Sequence, residues 1–196
     1  MNRESYNKIA EIWAEHRHSS FVSQIIVDFA EKLSLNAKVL DIGCGTGMPV
    51  AGYLASKGLL VTGIDFAEKM IEIAQSQQIP QTQFLVSDFF DFETKETFDG
   101  ILAWDSFFHF PKEKQAMIYP KVARLLNSGG YLLFTHGDDD GEHTNPMMGE
   151  EFYYSAILKE DIIQLLEANG CEVIDMIKDY REKDTHRGLV VLAQKK

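Results

Sequence analysis

The chain carries only two cysteines in 196 residues, Cys44 and Cys171, and they form no C-x-x-C pair, so a disulfide framework is not expected. Cations are also scarce: 19 lysines and arginines stand against 30 aspartates and glutamates, for a formal net charge of -11. Binding to a phosphate backbone depends on clustered lysine and arginine that release counterions. Here Lys112, Lys114, Lys121 and Arg124 are interleaved with Glu113 as a solvated face. Nucleic acid is therefore not the expected partner, and an acidic field favours cationic or neutral small molecules. No apolar run approaches the roughly 20 residues of a membrane-spanning helix. Residues 1–13 are polar and charged and lack the pattern of a secretory leader, so a cytoplasmic location without a membrane partner is expected. Internal repeats and low-complexity linkers are missing too. The expectation is one domain over residues 1–196, with monomer and homodimer both open.

What is present is concentrated in Val39-Leu40-Asp41-Ile42-Gly43-Cys44-Gly45-Thr46-Gly47, an apolar strand that ends in an acid and breaks into a glycine-spaced loop. Such spacing lets a ligand lie against bare backbone, because a β-carbon would fill the ligand's space. A dinucleotide fingerprint, G-x-G-x-x-G, counted from Gly43 and Gly45 needs a glycine at position 48. The chain has Met48 there, and its glycine comes one residue early, at Gly47. Asp41 at the strand end suits an ammonium group, held directly or through water, which a pyrophosphate does not supply.

The alternation continues. Residues 49–57 read as a helix closed by Gly58, 59–65 as a buried strand ending in Asp65, 66–77 as a helix, and 83–86 as a strand followed by Ser87-Asp88-Phe89. In an open parallel sheet, ligands lie beyond the carboxyl ends of the strands. Asp65 thus faces the same crevice as the glycine loop, where a carboxylate accepts both hydroxyls of a ribose.

Asp41-x-Gly43-x-Gly45-x-Gly47, with acids at three successive strand ends, resembles motif I and its surroundings in the class I S-adenosylmethionine-dependent methyltransferases. The resemblance covers essentially the whole chain. It implies an α/β fold with a seven-stranded Rossmann-like sheet in the order 3-2-1-4-5-7-6, strand 7 antiparallel and helices on both faces. It also implies S-adenosylmethionine as cofactor and S-adenosylhomocysteine as its product. Asp41, Gly43 and Gly45 would hold the methionine end, Asp65 the ribose, and Asp88 with Phe66 and Met70 the adenine. Cys44, Phe89, Ala103 and Trp104 complete the implied cofactor set.

Downstream, residues 98–104 read as a fourth strand and Pro111 as a helix start. Pro120 predicts two short helical pieces or a kink, ending at the turn 127–130. A fifth strand over 131–135, a helix over 160–169 with Lys159 in the capping place, and strands over 172–177 and 188–193 follow. Substrate information lies in residues 1–30, in the loop after strand four, and in the connection 136–158. The first resembles a lid laid over the cofactor, with Tyr6 and Trp13 against a sulfonium. The alternative is that Tyr6, Ile9 and Trp13 form an apolar stripe docked on the core. Arg17 either pairs with the cofactor carboxylate or is solvated; His16 and His18, two apart, do not share a helix face. His109 is the candidate general base, with packing as its alternative, and Tyr153 or Tyr154 faces the acceptor. Consecutive aspartates in 136–143 point apart in an extended loop, so a solvated acidic lid is expected rather than a metal site.

Methyl transfer from a sulfonium is an in-line displacement achieved largely by alignment and water exclusion. The expected function is therefore S-adenosylmethionine-dependent methylation of a small molecule. Two other readings stay open: a cofactor-binding module without transferase activity, and a nicotinamide oxidoreductase, against which Met48 and Asp88 count.

Overall fold

The computed structural model describes residues 1–18, 21–183 and 185–196, apart from the side chain of residue 18. Residues 19 and 20 of the N-terminal segment and residue 184 therefore lie outside the description. The apolar runs form β1 (Lys38–Ile42), β2 (Leu60–Asp65), β3 (Thr82–Val86), β4 (Phe98–Ala103) and β5 (Leu126–His136), all parallel. They join β8 (Cys171–Glu182) and β9 (Thr185–Lys195) in one sheet, ordered β3-β2-β1-β4-β5-β9-β8. Strand β9 runs antiparallel to both neighbours. This is the expected order with a two-stranded insertion counted in.

Helices cover both faces because consecutive strand residues point to opposite sides. Val39, Val61, Leu102 and Leu133 pack with Ile26, Phe29, Leu54 and Ile71 of α2 (Gln24–Glu31), α3 (Val50–Ser56) and α4 (Glu68–Ser76). Leu40, Ile101, Leu132 and Phe134 pack with Ile118, Val122, Ile162 and Leu166 of α5 (Gln115–Leu125) and α6 (Lys159–Ala168). Strand order reverses between β1 and β4, which opens a crevice at their carboxyl ends. Register sets Asp41 beside Gly63, and Asp65 beside Val86, at that same edge.

Four local expectations are corrected. Pro120 lies inside an unbroken α5; Pro120 and Ala116, whose carbonyl loses its partner, are both on the exposed face of the helix, where a carbonyl without a helical partner costs little. Residues 127–130 do not end a helix. They bulge from β5 between the pairs Phe98–Leu126 and Gly100–Tyr131, and Asn127 donates to Asp99. Helix α6 begins at Lys159, behind Leu158 in the capping position and without a side-chain cap. The long connection after β5 holds a hairpin, β6 (Gly141–Met147) with β7 (Glu150–Ala156), turning on Met148 and Gly149 at φ 51° and 85°. Two positive φ values fit the tight turn that matches strand twist, yet methionine in the first place gives no sequence signal for it.

Candidate functional site

Helix α1 (Asn2–His18) roofs the crevice. It is tied to α4 by an ion pair between Arg3 and Glu68, by Asn7 Nδ2 donating to Glu68 (2.8 Å) and by the Lys69 backbone N–H donating to Asn7 Oδ1 (3.0 Å). On its other flank Ser5 Oγ donates to the Glu151 carbonyl (2.7 Å), and Lys8 pairs with Glu150 (2.8 Å). Ile9, Ala10, Met70 and Phe152 form a small core beneath it.

Under α1 lies a cavity with about 890 Å³ of empty space, its open mouth included, bordered by Tyr6, Trp13, Arg17, the loop from Asp41 to Thr46, Asp65, Phe66, Met70, Phe89 and Trp104. Gly43 and Gly45 both take positive φ; a β-carbon on Gly43 would stand 2.5 Å from Ser106 Cβ, and one on Gly45 would face Trp13 Nε1 at 3.5 Å. Asp65 anchors the loop, accepting from the Gly45 N–H at 3.0 Å and the Ala67 N–H at 2.8 Å. Burial still pushes its carboxyl up to about 6. Asp41 is 3% exposed, and its carboxylate accepts no hydrogen bond from any described residue. Burial, with Asp65 adding to it, raises Asp41 to about 7 against a smaller opposing pull from Arg17. Arg17 itself lies over the Trp13 ring at 5.7 Å, and burial lowers its pKa. An unpartnered buried acid and a largely buried guanidinium in one cavity fit the ammonium and carboxylate of an amino acid.

A second, wider cavity of about 1440 Å³, including its mouth, adjoins the first and shares Tyr6, Trp13, Asp105 and His109 with it. One wall is aromatic: Tyr154 stacks with His143 (5.3 Å, 12°) and with Phe108 (5.7 Å, 30°). The other wall runs from His136 to Asp139 and from Thr185 to Gly188. At the junction His109 Nδ1 lies 2.9 Å from the Tyr153 carbonyl and 3.0 Å from Asn2 Nδ2, and Nε2 lies 2.8 Å from the Tyr6 hydroxyl; because a carbonyl only accepts, the tautomer that satisfies Tyr153 carries its proton on Nδ1 and leaves Nε2 to accept from Tyr6. Asn2 stabilises this arrangement by pairing its amide with both backbone groups of Tyr153. Burial lowers His109 to about 4.

Residues 39–130 match the family model for a methyltransferase domain. That stretch, which holds the glycine loop and the acids ending β1 and β2, is similar to a methyltransferase domain, and the solved structures below share the fold of S-adenosylmethionine-dependent methyltransferases. Among its relatives, the O-methyltransferase cnsE of Penicillium expansum is 30% identical over 156 residues, covering 74% of this chain and 55% of that protein. The chain spans about half the length of the first relatives it matches. A S-adenosylmethionine-dependent methyltransferase from Methanosarcina mazei superposes with TM-score 0.73 at 23% identity, covering 90% of this chain and 99% of that one. The magnesium protoporphyrin IX methyltransferase of Synechocystis, solved with S-adenosylhomocysteine, gives TM-score 0.75 at 18% identity, covering 99% and 97%.

Within this methyltransferase fold, Tyr6, Trp13, Asp41, Gly43, Cys44, Gly45, Asp65, Phe66, Met70, Phe89 and Trp104 are brought together around the first cavity. Two of the sequence-predicted cofactor residues are not. Ala103 is fully buried within β4, its side chain in the core beside α5. Asp88 is exposed, and its carboxylate accepts from the Phe90 N–H at 2.8 Å; its neighbours Ser87 and Phe89 line the cavity in its place. Tyr153 also departs from expectation. Strand alternation turns its hydroxyl outward, to donate to Glu142 (2.7 Å) and accept from the Lys112 N–H (3.2 Å), and brings Tyr154 to the second cavity. His109 reaches the junction, but with both nitrogens engaged it is not the free base expected. The acids of 136–143 disperse, with Asp138 pairing with Lys178 and Asp140 with Lys112. No three histidine, cysteine or acidic side chains group as metal ligands among the described residues.

Residues 1–18 and 185–188 supply partners that sequence reasoning missed. Arg187 holds Asp105 through two 2.7 Å hydrogen bonds and lies 4.6 Å over the Trp104 ring. Nothing in Thr185-His186-Arg187-Gly188 signals this, because the pairing crosses 82 positions.

Proposed function

We propose that this protein is an S-adenosylmethionine-dependent methyltransferase acting on a small molecule. The observation that carries the reading is one cavity that joins a backbone-bare glycine loop to the buried acids Asp41 and Asp65 and to the apolar Phe66 and Met70. In this reading Asp41 takes the ammonium and Arg17 the carboxylate of the amino-acid end, Asp65 the ribose hydroxyls, and Phe66 with Met70 the adenine faces. Asp88 acts there only by turning inward from its exposed position. The bound cofactor supplies an electrophilic methyl on a sulfonium with a neutral thioether as leaving group. The protein's own work is to exclude water under α1 and to align an acceptor from the second cavity. Helix α1 forms the lid within a single domain, whereas α2, the later part of the expected 1–30 lid, packs on the sheet instead; Tyr6 and Trp13 offer ring faces to positive charge, and His109 positions Tyr6.

A small-molecule acceptor rather than nucleic acid is supported by the net charge of -11. A cytoplasmic site is supported by two cysteines that are both free thiols. No helix among the described residues is long and apolar enough to cross a membrane. Isothermal titration with S-adenosylhomocysteine, run beside a screen for S-adenosylhomocysteine release from S-adenosylmethionine, tests the proposal. Saturable binding with acceptor-dependent release supports it; binding without release from a broad acceptor panel favours a binding module, and binding of a nicotinamide dinucleotide instead overturns it.

A further inference from the structure

Asp105 lines both cavities, and of the four residues they share it is the one carboxylate, with acceptor capacity to spare. It follows β4 in the left-handed region, at φ 58°, a position aspartate tolerates better than most residues. Three contacts hold it there: Arg187 Nε to Oδ1 and Arg187 Nη2 to Oδ2, both at 2.7 Å, and its own N–H donating to Thr135 Oγ1 at 2.8 Å. Thr135 Oγ1 returns a longer hydrogen bond to Oδ1 at 3.3 Å. A carboxylate has about four acceptor positions, so Oδ2 keeps one open. The side chain is 32% exposed and therefore reachable from the cavity. By contrast His109 has donated its one proton to the Tyr153 carbonyl and receives Tyr6 on the other nitrogen.

Resting on the methyltransferase reading, we propose that the second cavity takes a flat, uncharged nitrogen nucleophile whose N–H donates to Asp105 while its ring lies against Tyr154. Three features select that class. Tyr154 lies in a stack with His143 and Phe108, a surface that favours a planar partner. Asp105, Asp138 and Asp139 border the cavity against one permanent cation among its described lining residues, Arg187, which is already paired, so anionic acceptors are repelled. Finally, a carboxylate held by arginine orients a proton donor well but removes a hydroxyl proton poorly, since phenols of the tyrosine kind titrate near about 10. A neutral nitrogen needs no prior deprotonation. Its lone pair forms the N–C bond while the C–S bond breaks with its electrons left on sulfur; the N–H proton, made acidic by the new positive charge, then passes to the Asp105 carboxylate and on to water.

The test uses protein saturated with S-adenosylhomocysteine, titrated calorimetrically at pH 8 with 3-aminoquinoline, quinoline-3-carboxylate and cyclohexylamine, the last a non-planar ammonium ion at that pH. The expected result is that 3-aminoquinoline binds at least about tenfold more tightly than the anion or the non-planar amine. Tyr154→Ala and Asp105→Asn should each weaken it about tenfold. Tyr154→Ala guards against misfolding in Asp105→Asn, where Arg187 loses its partner; both variants are also checked for S-adenosylhomocysteine affinity. With the methyl donor present, mass spectrometry should find N-methylation of 3-aminoquinoline to exceed O-methylation of 3-hydroxyquinoline. No binding of 3-aminoquinoline at millimolar concentration, tighter binding of the carboxylate, preferred O-methylation, or Tyr154→Ala without effect overturns this acceptor class. Loss of S-adenosylhomocysteine binding by the parent protein would instead overturn the cofactor reading beneath it.

Discussion

The two cavities that meet at Tyr6, Trp13, Asp105 and His109 are built in opposite ways. The first is made mostly of short local segments: an acid and a glycine loop after β1, an acid after β2, an aromatic and a methionine on the helix that follows. The second is assembled from α1, the turn after β4, the β6–β7 hairpin and the start of β9, elements as far apart as the chain allows. A shared cofactor asks the same of every fold that binds it, and strand ends of a parallel sheet meet that demand locally. An acceptor asks something particular, and long-range packing supplies it. The difference predicts that mutations in the first cavity change cofactor affinity, whereas those in the second leave it intact and change turnover or acceptor choice.

The largest effect expected is that of Asp65→Ala. Removing a carboxylate that would accept two ribose hydroxyls, each such hydrogen bond being worth about 1.5 to 3 kcal/mol, should weaken S-adenosylhomocysteine binding by at least about tenfold, and by about a hundredfold or more when both bonds are lost in full. Calorimetry showing unchanged affinity would take Asp65 out of the site.

Next in size is a pH effect. Asp41, raised to about 7, must be ionised to hold an ammonium. Affinity for S-adenosylhomocysteine should therefore rise about tenfold between pH 6 and pH 8. The sign for stability is the reverse in the unliganded protein. Because the folded-state values of Asp41 and Asp65 lie above the unfolded ones, protonation favours the native state, and their contribution is lost as pH climbs from about 4 through 7. A melting temperature that falls over that window, with a flatter slope in Asp41→Asn, is the expected outcome; identical slopes would remove Asp41 as the cause.

Arg17→Leu sharpens the comparison further. It should weaken S-adenosylhomocysteine binding about fivefold while leaving adenosine, which lacks the amino-acid end, unchanged. Equal losses for both ligands would mean that Arg17 acts only by packing on Trp13. The smallest effect belongs to the junction. Tyr6→Phe leaves the buried Nε2 of His109 without its donor, at a cost of about 1 kcal/mol. For a chain of this size that lowers the melting temperature by about 2 to 4 °C.

The sheet and the first cavity were legible because their signals are local. Glycine spacing after Asp41, the acid at the end of β2, and the alternation of apolar strands with helices each reside within a few consecutive residues. Asp88 misled because an acid at a strand end has two stable uses: it can reach a ligand, or it can cap its own turn, as it does at Phe90. The hairpin escaped because Met148-Gly149 lacks the usual turn chemistry and Pro146 falls inside β6. Tyr153 and Tyr154 could not be separated until strand pairing assigned each to a face. His109 lies at the junction, as its place after β4 suggested, but burial lowers its basicity, and the groups that engage its ring, Tyr6, Asn2 and the Tyr153 carbonyl, stand between 44 and 107 positions away. No local pattern encodes such a partner.

The most direct test of the central claim is a calorimetric titration of the parent protein and Asp65→Ala with S-adenosylhomocysteine at pH 8. The account predicts one saturable site in the parent and an affinity lower by at least about tenfold in the variant. Absence of binding to the parent, or equal binding to both proteins, would contradict it.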